Sequence, residues 1–318
     1  APLVTTVSGQ GSLADHHPLN CGVGGSNGGI DATRDVVAQA DLVFFIGCRV
    51  GSTSTEHWKV PSRQVSLIHL DVDASTVAAN YRTDVPLVGD ARLSLHALNE
   101  ALSEHLRHHP REQAANGLAI AEQARARKWA AFAPLAASLD QPIKPERVVD
   151  ALNRLLPANS ILVADPGTPC PYFSAYFHNS TVPGRHFITN RAHGALGYAM
   201  SAGVGAWFGR PESTVVAVMG DGSFAFTCGE LETIVRRQVP LKMIVFSNTV
   251  FGWIKASQKV GYQERYFSVD FGRTEHAKVA EAFGVKSWRV QDPAQLDAAI
   301  AAALAHPGPA LIDVVSQQ

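Results

Sequence analysis

Six short apolar runs recur along the chain, and stretches with helical spacing lie between them. Continuous apolar runs of this length are typical of strands in a parallel sheet, because helices cover both faces of such a sheet. The alternation therefore predicts an α/β protein with doubly wound parallel sheets. The runs are Asp41–Gly47, Val65–Asp71, Ser160–Asp165, Thr214–Met219, Lys242–Ser247 and Ala310–Val315.

The helical stretches and the punctuation between them divide the chain into three parts. From about Arg111 to Leu139 the sequence is rich in Ala, Arg and Gln and has no strand pattern, and Pro142 and Pro145 follow it. We predict a Rossmann-like domain over 1–110, a linker helix over 111–141 and a second α/β domain over 142–318. Helices within the two domains are predicted at Ala32–Ala40, Leu93–Leu106, Gly229–Arg237, Lys278–Phe283 and Pro293–Ala305.

Composition excludes several classes of function. The 318 residues are 46% hydrophobic, and 27 Lys and Arg against 28 Asp and Glu give a net charge of −1, which argues against nucleic-acid and anionic-membrane partners. The apolar stretch Ala195–Gly209 is too short and too rich in glycine for a membrane span of about 20 residues. The four cysteines lie far apart and no signal peptide opens the sequence, so we predict a cytoplasmic protein without a disulfide framework or zinc site.

The most informative residues follow two neighbouring predicted strands. An apolar run ends at Met219, and Gly220–Gly222 predicts a tight turn at which the backbone can approach a ligand. A helix that starts behind such a turn suits a phosphate group. Asn248 follows the next strand, 27 positions (248 − 221) after Asp221. Ligands of parallel sheets gather at the carboxyl ends of strands, and one carboxylate with one amide oxygen favours Mg²⁺, which also binds water and phosphate oxygens.

Each half of this pattern has an ordinary structural interpretation. A Gly-Asp-Gly sequence is a common turn, and an asparagine just after a strand is usually a turn former. The two together, each directly after an apolar strand, are much less frequent by chance.

Gly220-Asp221-Gly222, followed by 25 residues (223–247) and Asn248, resembles the signature of thiamine diphosphate enzymes. The sequences around both motifs are similar to the acetolactate synthase and benzoylformate decarboxylase branch of that family. The segments that carry the resemblance in the second half are Asp165–Thr168, Asn190–Ala206, Gly220–Phe224 and Asn248–Lys255. Those that resemble the family's central domain are Gly9–Gly11, His17–Pro18, Asp41–Arg49 and Asp84–Asp90.

The resemblance implies a Rossmann-like central domain and a thiamine diphosphate-binding domain, with Mg²⁺ held by Asp221, the Asn248 side chain and the Val250 carbonyl oxygen. Phe251 and Trp253 are expected to pack rather than react. The cofactor-binding residues that the resemblance implies are Thr168, Gly220, Gly222, Ser223, Asn248, Phe251 and Gly252.

Four further residues are candidates with open alternatives. Leu196 matches the bulky apolar residue that bends the cofactor in this family, or is an ordinary core leucine. His193 either faces the site as a catalytic residue or is structural. Cys170 either lines the pocket or is a buried, inert thiol. Arg49 either meets a nucleotide phosphate, since relatives carry FAD or ADP in the central domain, or is an exposed loop arginine.

The family's activating glutamate lies on an N-terminal pyrimidine-binding domain that has no counterpart in this sequence. We therefore expect an N-terminally truncated central domain, and no turnover by this chain alone. The expected partners are a small 2-oxo acid or acyl substrate, the missing pyrimidine-binding domain or subunit, and a second copy of the chain.

Three functions follow as hypotheses. The first is part of a thiamine diphosphate- and Mg²⁺-dependent 2-oxo acid decarboxylase or carboligase similar to acetolactate synthase. The second is a non-catalytic cofactor-binding or assembly subunit. The third is a nucleotide-binding module, which is disfavoured because no G-x-G-x-x-G follows a predicted strand. The substrate, and the choice between decarboxylation and carboligation, stay open.

Overall fold

The structure is a computed structural model that describes residues 1–110, 116–190 and 193–317. The chain divides into two compact units, one of Ala1–Thr6 and Pro18–Lys128 and the other of Val7–His17 and Trp129–Gln318. The predicted domain limits at 110 and 141 stay a prediction, and residues 111–115 of the predicted linker lie outside the described residues. The division between the units falls within one long helix, Gly117–Ala136.

The first unit contains two parallel sheets. Its strands are β1 (Leu3–Thr5), β2 (Asn20–Val23), β3 (Leu42–Ile46), β4 (Ser66–Asp71) and β5 (Val85–Val88). Its helices are α1 (Asp31–Ala38), α2 (Ala91–His108) and the first part of α3 (Gly117–Ala136). Strands β1 and β2 pair with each other, and the other three form a sheet in the order β3-β4-β5.

The middle strand organises the core of this first sheet. Leu67 and Leu70 of β4 are buried, and Leu67 packs in a small cluster with Val50 and Tyr81. Helix α2 begins at a clear cap, because the Asp90 carboxylate accepts a hydrogen bond from the backbone N–H of Leu93 at 3.0 Å. None of the side chains of α2 is buried.

The second unit is built around one parallel sheet of six strands in the order β10-β11-β9-β8-β6-β7. The strands are β6 (Ile161–Ala164), β7 (Phe187–Thr189), β8 (Val215–Gly220), β9 (Lys242–Ser247), β10 (Lys286–Val290) and β11 (Ala310–Val315). The helices are α4 (Pro145–Leu155), α5 (Pro169–Tyr176), α6 (Tyr198–Gly209), α7 (Asp221–Thr227), α8 (Glu230–Arg236), α9 (Gly252–Gly261), α10 (His276–Ala282) and α11 (Leu296–Ala305). Short 3₁₀ turns occupy Val7–Gly9 and Pro293–Gln295.

Both faces of this sheet are covered, as a doubly wound fold requires. Alternate residues of each strand point to opposite faces, so Val216 and Val218 pack in one core cluster with α4, α5 and α11. Val215 and Ala217 of the same strand pack in a second cluster with α6, α8 and α10. The predicted α/β fold with parallel sheets is confirmed.

The strand order creates a crevice at the carboxyl edge of the sheet. After β6 the chain adds β7 on one side and then returns to add β8 on the other side. Ligands bind at such reversals of strand order in open α/β sheets. The carboxyl ends of β6, β8 and β9 lie side by side here, and they carry Asp165, Asp221 and Asn248 respectively.

The six predicted strands are present: β9 and β11 have the predicted bounds, and the ends of the other four differ by at most one residue. The edge strands β7 and β10 were not predicted from the sequence. The polar residues Lys286, Ser287 and Arg289 interrupt the apolar pattern of β10, because an edge strand is not enclosed on all sides, whereas β7 has only three residues. Within the described ranges, no helix combines the length and the apolar character needed to cross a bilayer.

Candidate cofactor and metal site

Strand β8 passes directly into helix α7, so the predicted tight turn at Gly220–Gly222 is wrong. Gly220 is extended, with φ −79° and ψ 164°, and Asp221 is already the first helical residue. Gly222 is needed for close approach rather than for a turn, because a Cβ atom there would lie 2.4 Å from Cε1 of Phe251.

The Asp221 carboxylate lies 2% exposed at the centre of the crevice. Its Oδ1 accepts from the N–H of Gly222 at 2.9 Å, and its Oδ2 accepts from the N–H groups of Asn248 at 2.9 Å and Thr249 at 2.6 Å. Burial raises the pKa of this carboxyl, whereas these backbone donors and the charge of His276 act in the opposite direction. No lysine or arginine of the described residues forms an ion pair with it, which suits a carboxylate that binds a cation.

Backbone geometry holds Asn248 beside this carboxylate. Thr249 adopts φ +60°, an uncommon value for a β-branched residue, and this bend aims two successive N–H groups at one oxygen of Asp221. The side-chain Nδ2 of Asn248 donates to the carbonyl oxygen of Gln317 at 3.4 Å.

The next residues form a two-bond ladder with a neighbouring segment. Phe251 N–H donates to Val269 at 2.9 Å, and Phe271 N–H donates to Thr249 at 3.0 Å. These bonds flank Val250, which is therefore a non-hydrogen-bonded position of an antiparallel bridge. Its own carbonyl oxygen points away from the ladder and is available to a ligand.

Asp165 forms a second buried carboxylate centre directly after β6. Its Oδ1 accepts from the Ser223 hydroxyl at 2.7 Å, and its Oδ2 accepts from the N–H groups of Gly197 at 3.0 Å and Ala199 at 3.2 Å. Burial raises the pKa of this carboxyl, and the same donors oppose the rise. Asp165 thus joins the start of α6 to the start of α7. A carboxylate directly after an apolar strand is the signal that could have identified this clamp.

Leu196 lies next to this clamp. Its Cδ2 is 3.2 Å from the position of a Cβ atom on Gly167, and the Ser223 Oγ is 3.8 Å from the same position. Leu196 is half-buried and borders an open cleft of about 440 Å³ that Ile188 and Tyr198 also line. The structure therefore brings Leu196 and Ser223 together at the crevice.

Thr168 lies against the first turn of α9. A Cβ atom on Gly252 would be 2.9 Å from the Thr168 Oγ1, so this glycine permits the close approach. The first backbone N–H groups of a helix have no partner within the helix and attract anions. Phe251 packs its ring against Phe226 and Phe271, with centroid distances of 6.2 and 5.0 Å.

The other candidate residues are His193, Cys170 and Arg49. His193 is exposed, and the two residues before it are not among the described residues. Cys170 is fully buried in α5, with its Sγ 3.5 Å from the Ser174 Oγ, and its inertness stays a prediction. Arg49 is exposed in a loop of the first unit. In the described part of the chain, no group of three or more His, Cys, Asp or Glu side chains could hold a metal ion.

Comparison with known protein families gives a match in each unit. Residues 165–314 match the family described as "Thiamine pyrophosphate enzyme, C-terminal TPP binding domain", and residues 1–98 match "Thiamine pyrophosphate enzyme, central domain". Thiamine pyrophosphate is another name for thiamine diphosphate. The C-terminal match includes all three strand ends of the crevice.

Relatives with similar sequences are named acetolactate synthases. The chain is 29% identical to the probable acetolactate synthase large subunit of Methanococcus aeolicus, over 98% of this chain and 53% of that protein. It is 27% identical to the acetolactate synthase isozyme 3 large subunit of Escherichia coli, over 95% of this chain and 52% of the relative. It is 30% identical to the acetolactate synthase of Mycobacterium avium, over 91% and 46%.

The chain spans about half the length of these relatives. Both family matches agree with the parallel sheets of the two units. The chain therefore belongs to the thiamine pyrophosphate enzymes, of which it contains the central domain and the C-terminal domain.

Proposed function

We propose that this chain binds thiamine diphosphate and Mg²⁺ as part of an acetolactate synthase-like enzyme that decarboxylates or joins small 2-oxo acids. The observation that carries the proposal is the buried Asp221 carboxylate, which is hydrogen-bonded to the backbone of Asn248 and Thr249 across two neighbouring strand ends. A buried carboxylate without a lysine or arginine partner among the described residues suits a bound cation, and Asp221, unlike Asp165, has the asparagine of the neighbouring strand end beside it.

The proposed metal ligands are the Asp221 carboxylate, the amide oxygen of Asn248 and the carbonyl oxygen of Val250. All three are hard oxygen donors on rigid backbone, and Mg²⁺ prefers such ligands together with water and phosphate oxygens. Three backbone donors keep the carboxylate oriented, so the ion would meet a preorganised ligand.

The proposed diphosphate contacts come from the start of α7 and the start of α9. The Ser223 hydroxyl already donates to Asp165, so its contact with a phosphate would be made by its backbone N–H. From Gly252 onward, the first N–H groups of α9 have no partner within the helix, and Thr168 adds a hydroxyl beside them. Gly220 and Gly222 allow the backbone to come close to the ligand, and Phe251 closes one side.

Leu196 is the proposed support for the bent form of the cofactor. Thiamine diphosphate, when bound, supplies an electron sink for bonds next to a carbonyl group. Leu196 would orient the cofactor. His193, which is exposed three residues before Leu196, is the second proposed catalytic residue.

The partners of this function are also proposals. Because the chain spans about half of the relatives' length, a pyrimidine-binding domain or subunit and a second copy of the chain are the expected partners. One alternative is a subunit that binds cofactor and assembles without catalysis. Release of CO₂ from 2-oxo acids after addition of a pyrimidine-binding domain would support the enzyme, whereas binding without release would support the alternative.

Calorimetric titration of the chain with thiamine diphosphate and Mg²⁺ tests the site itself. We expect Asp221→Ala to weaken Mg²⁺-dependent binding by more than about 100-fold, since even outer-shell partners of metal sites are worth 10- to 100-fold. Asp71→Ala is the matched control, because Asp71 ends a parallel strand of the first unit. If folded Asp221→Ala binds as tightly as the parent chain, the site assignment is wrong.

A further inference from the structure

A buried polar cluster lies beside the proposed metal site on the same half of the sheet. Ser247 is the last residue of β9, Asp313 lies on β11, and Arg289 lies opposite Asp313 on β10. His276 is the first residue of α10. Ser247, Asp313 and His276 are buried, and none of the four residues belongs to the proposed cofactor contacts.

The direction of each hydrogen bond in the cluster follows from the ionised state of Asp313. Burial raises the pKa of this carboxyl, but the nearby His276 ring, the hydrogen bond from Ser247 and the charge of Arg289 outweigh it and lower the pKa. An ionised carboxylate only accepts. Its Oδ1 therefore accepts from the Ser247 hydroxyl at 2.5 Å, and its Oδ2 accepts from Nη1 of Arg289 at 2.6 Å.

The same reasoning places a hydrogen on the Nδ1 atom of His276. The Ser247 hydroxyl has one hydrogen, and Asp313 accepts it. The Nδ1 atom of His276, 2.8 Å from the Ser247 Oγ, must therefore carry a hydrogen and donate to that oxygen. The result is a directed chain from His276 through Ser247 to Asp313.

His276 also touches the second element of the proposed site. Its ring meets the ring of Phe224 edge-on, with centroids 5.3 Å apart and planes at 85°. Phe224 lies in the first turn of α7, which begins at Asp221. Ser247 immediately precedes Asn248. One side chain thus contacts both the helix that carries the carboxylate and the strand end that carries the amide ligand.

We propose that His276 is a positioning residue that holds the end of β9 and the start of α7 in register, so that the N–H groups of Asn248 and Thr249 stay on Asp221. Groups that orient metal ligands through hydrogen bonds commonly contribute 10- to 100-fold to metal affinity. The part of this inference that concerns Mg²⁺ rests on the proposed function, whereas the part that concerns the protein backbone does not.

Amide hydrogen exchange of the full chain, without metal or cofactor, tests the backbone part. His276→Phe keeps an aromatic ring against Phe224 and loses the donor to Ser247. We expect the N–H groups of Asn248 and Thr249 to exchange about tenfold faster in this variant, because local opening reports the loss of a buried hydrogen bond. His276→Asn keeps a donor near the same place, and we expect exchange within about threefold of the parent.

Two further variants separate positioning from general stability. Ser247→Ala removes the same hydrogen bond from the other side, together with the bond from Ser247 to Asp313. We therefore expect at least the same acceleration, and no acceleration beyond that of Ser247→Ala when it is combined with His276→Phe. Ser247→Ala also decides the question if His276→Phe does not fold. Ser287→Ala is the matched control, since the Ser287 hydroxyl donates to the carbonyl oxygen of Ala277 on α10 at 2.9 Å. We expect this control to leave the two amides unchanged.

The inference is overturned if Ser247→Ala and folded His276→Phe exchange at the parent rate, or if Ser287→Ala accelerates the same two amides equally. Titration with Mg²⁺ and thiamine diphosphate then tests the consequence for the metal. We expect about tenfold weaker Mg²⁺ binding in His276→Phe and near-parent binding in His276→Asn. If the parent chain binds no Mg²⁺ and thiamine diphosphate, the proposed function fails, but the exchange rates still decide the role of His276.

Discussion

The sheets of the two units use similar apolar strands but cover them to different extents. In the second unit every residue of β9 and nearly every residue of β8 is buried, with a core cluster on each face. In the first unit only β4 has fully buried leucines, whereas Val85 and Val88 of β5 are 45% and 61% exposed. The proposed ligand-binding residues lie on the sheet that is covered on both faces.

The helices differ in the same way. Five residues of the 11-residue helix α4 are buried, but no residue of the 18-residue helix α2 is. Helix α2 therefore depends on its Asp90 cap and its own backbone hydrogen bonds more than on packing. Coverage on both faces restricts local opening. The Asp221 carboxylate must stay within hydrogen-bonding distance of two backbone donors of a neighbouring strand end, and a sheet that rarely opens keeps it there.

The largest expected effect is on the core of the second sheet. Phe246 of β9 is fully buried and meets Phe173 edge-on, with ring centroids 6.2 Å apart. We expect Phe246→Ala to lower the free energy of unfolding by about 3 to 5 kcal/mol. Val88→Ala on the first sheet should change it by less than about 1 kcal/mol. Urea unfolding measures both, and equal effects would mean that the two sheets are equally covered in solution.

Two glycines, one in each unit, allow a second comparison in which the expected loss of stability is smaller. A Cβ atom on Gly222 would collide with the Phe251 ring, so Gly222→Ala should destabilise the chain by about 1 to 3 kcal/mol. Gly51 of the first unit has no atom within 4 Å of an added Cβ, and we expect Gly51→Ala to change stability by less than about 0.5 kcal/mol. Thermal unfolding of both variants tests the difference. A stable Gly222→Ala chain with unchanged Mg²⁺ binding would contradict the close packing at α7.

The smallest effect concerns a buried lysine at the opposite end of β9. The Nζ of Lys242 donates to the carbonyl oxygens of His306 at 2.5 Å and Gly308 at 2.7 Å, and burial lowers its pKa from 10.5 to about 8. Between about pH 8 and pH 10.5, Lys242 has lost its proton in the folded chain but keeps it in the unfolded chain. The free energy of unfolding therefore rises with pH, relative to a variant without the amine.

We expect the parent chain to gain about 1 to 2 kcal/mol over Lys242→Met between about pH 7.5 and pH 9.5, since one pKa unit corresponds to about 1.4 kcal/mol. Urea midpoints measured across this range give the difference. Lys59→Met is the control, because Lys59 is exposed in the first unit. A difference that stays constant with pH would show that Lys242 keeps its proton in the folded chain.

The strands show where prediction from sequence works. Strands β9 and β11 have the predicted bounds, because both are interior strands whose two faces are apolar. The edge strand β10 reads Lys-Ser-Trp-Arg-Val and does not show this pattern. Its Arg289 is explained only by Asp313 on the neighbouring strand. Pairing between distant segments therefore decided what the local pattern did not show.

The residues of the proposed site also differ in whether the sequence could predict their roles. The positions of Asp221 and Asn248 at neighbouring strand ends were predictable, since both directly follow apolar runs. The role of His276 was not, because Glu275–Gly284 resembles an ordinary helix and its partners Ser247 and Asp313 lie 29 and 37 positions away (276 − 247, 313 − 276). The one local signal was a carboxylate inside the apolar run Ala310–Val315, which indicates a buried polar cluster.

The sequence by itself determined the fold class, the strand-end positions of the candidate ligands and the family resemblance, because these depend on periodicity and on residue types at fixed spacing. Only the tertiary structure decided that helix α7 begins at Asp221, that Asp165 joins α6 to α7, and that His276 links α7 to β9. The reason is physical. Burial and hydrogen-bond partners depend on which segments meet in space, and a local pattern fixes neither.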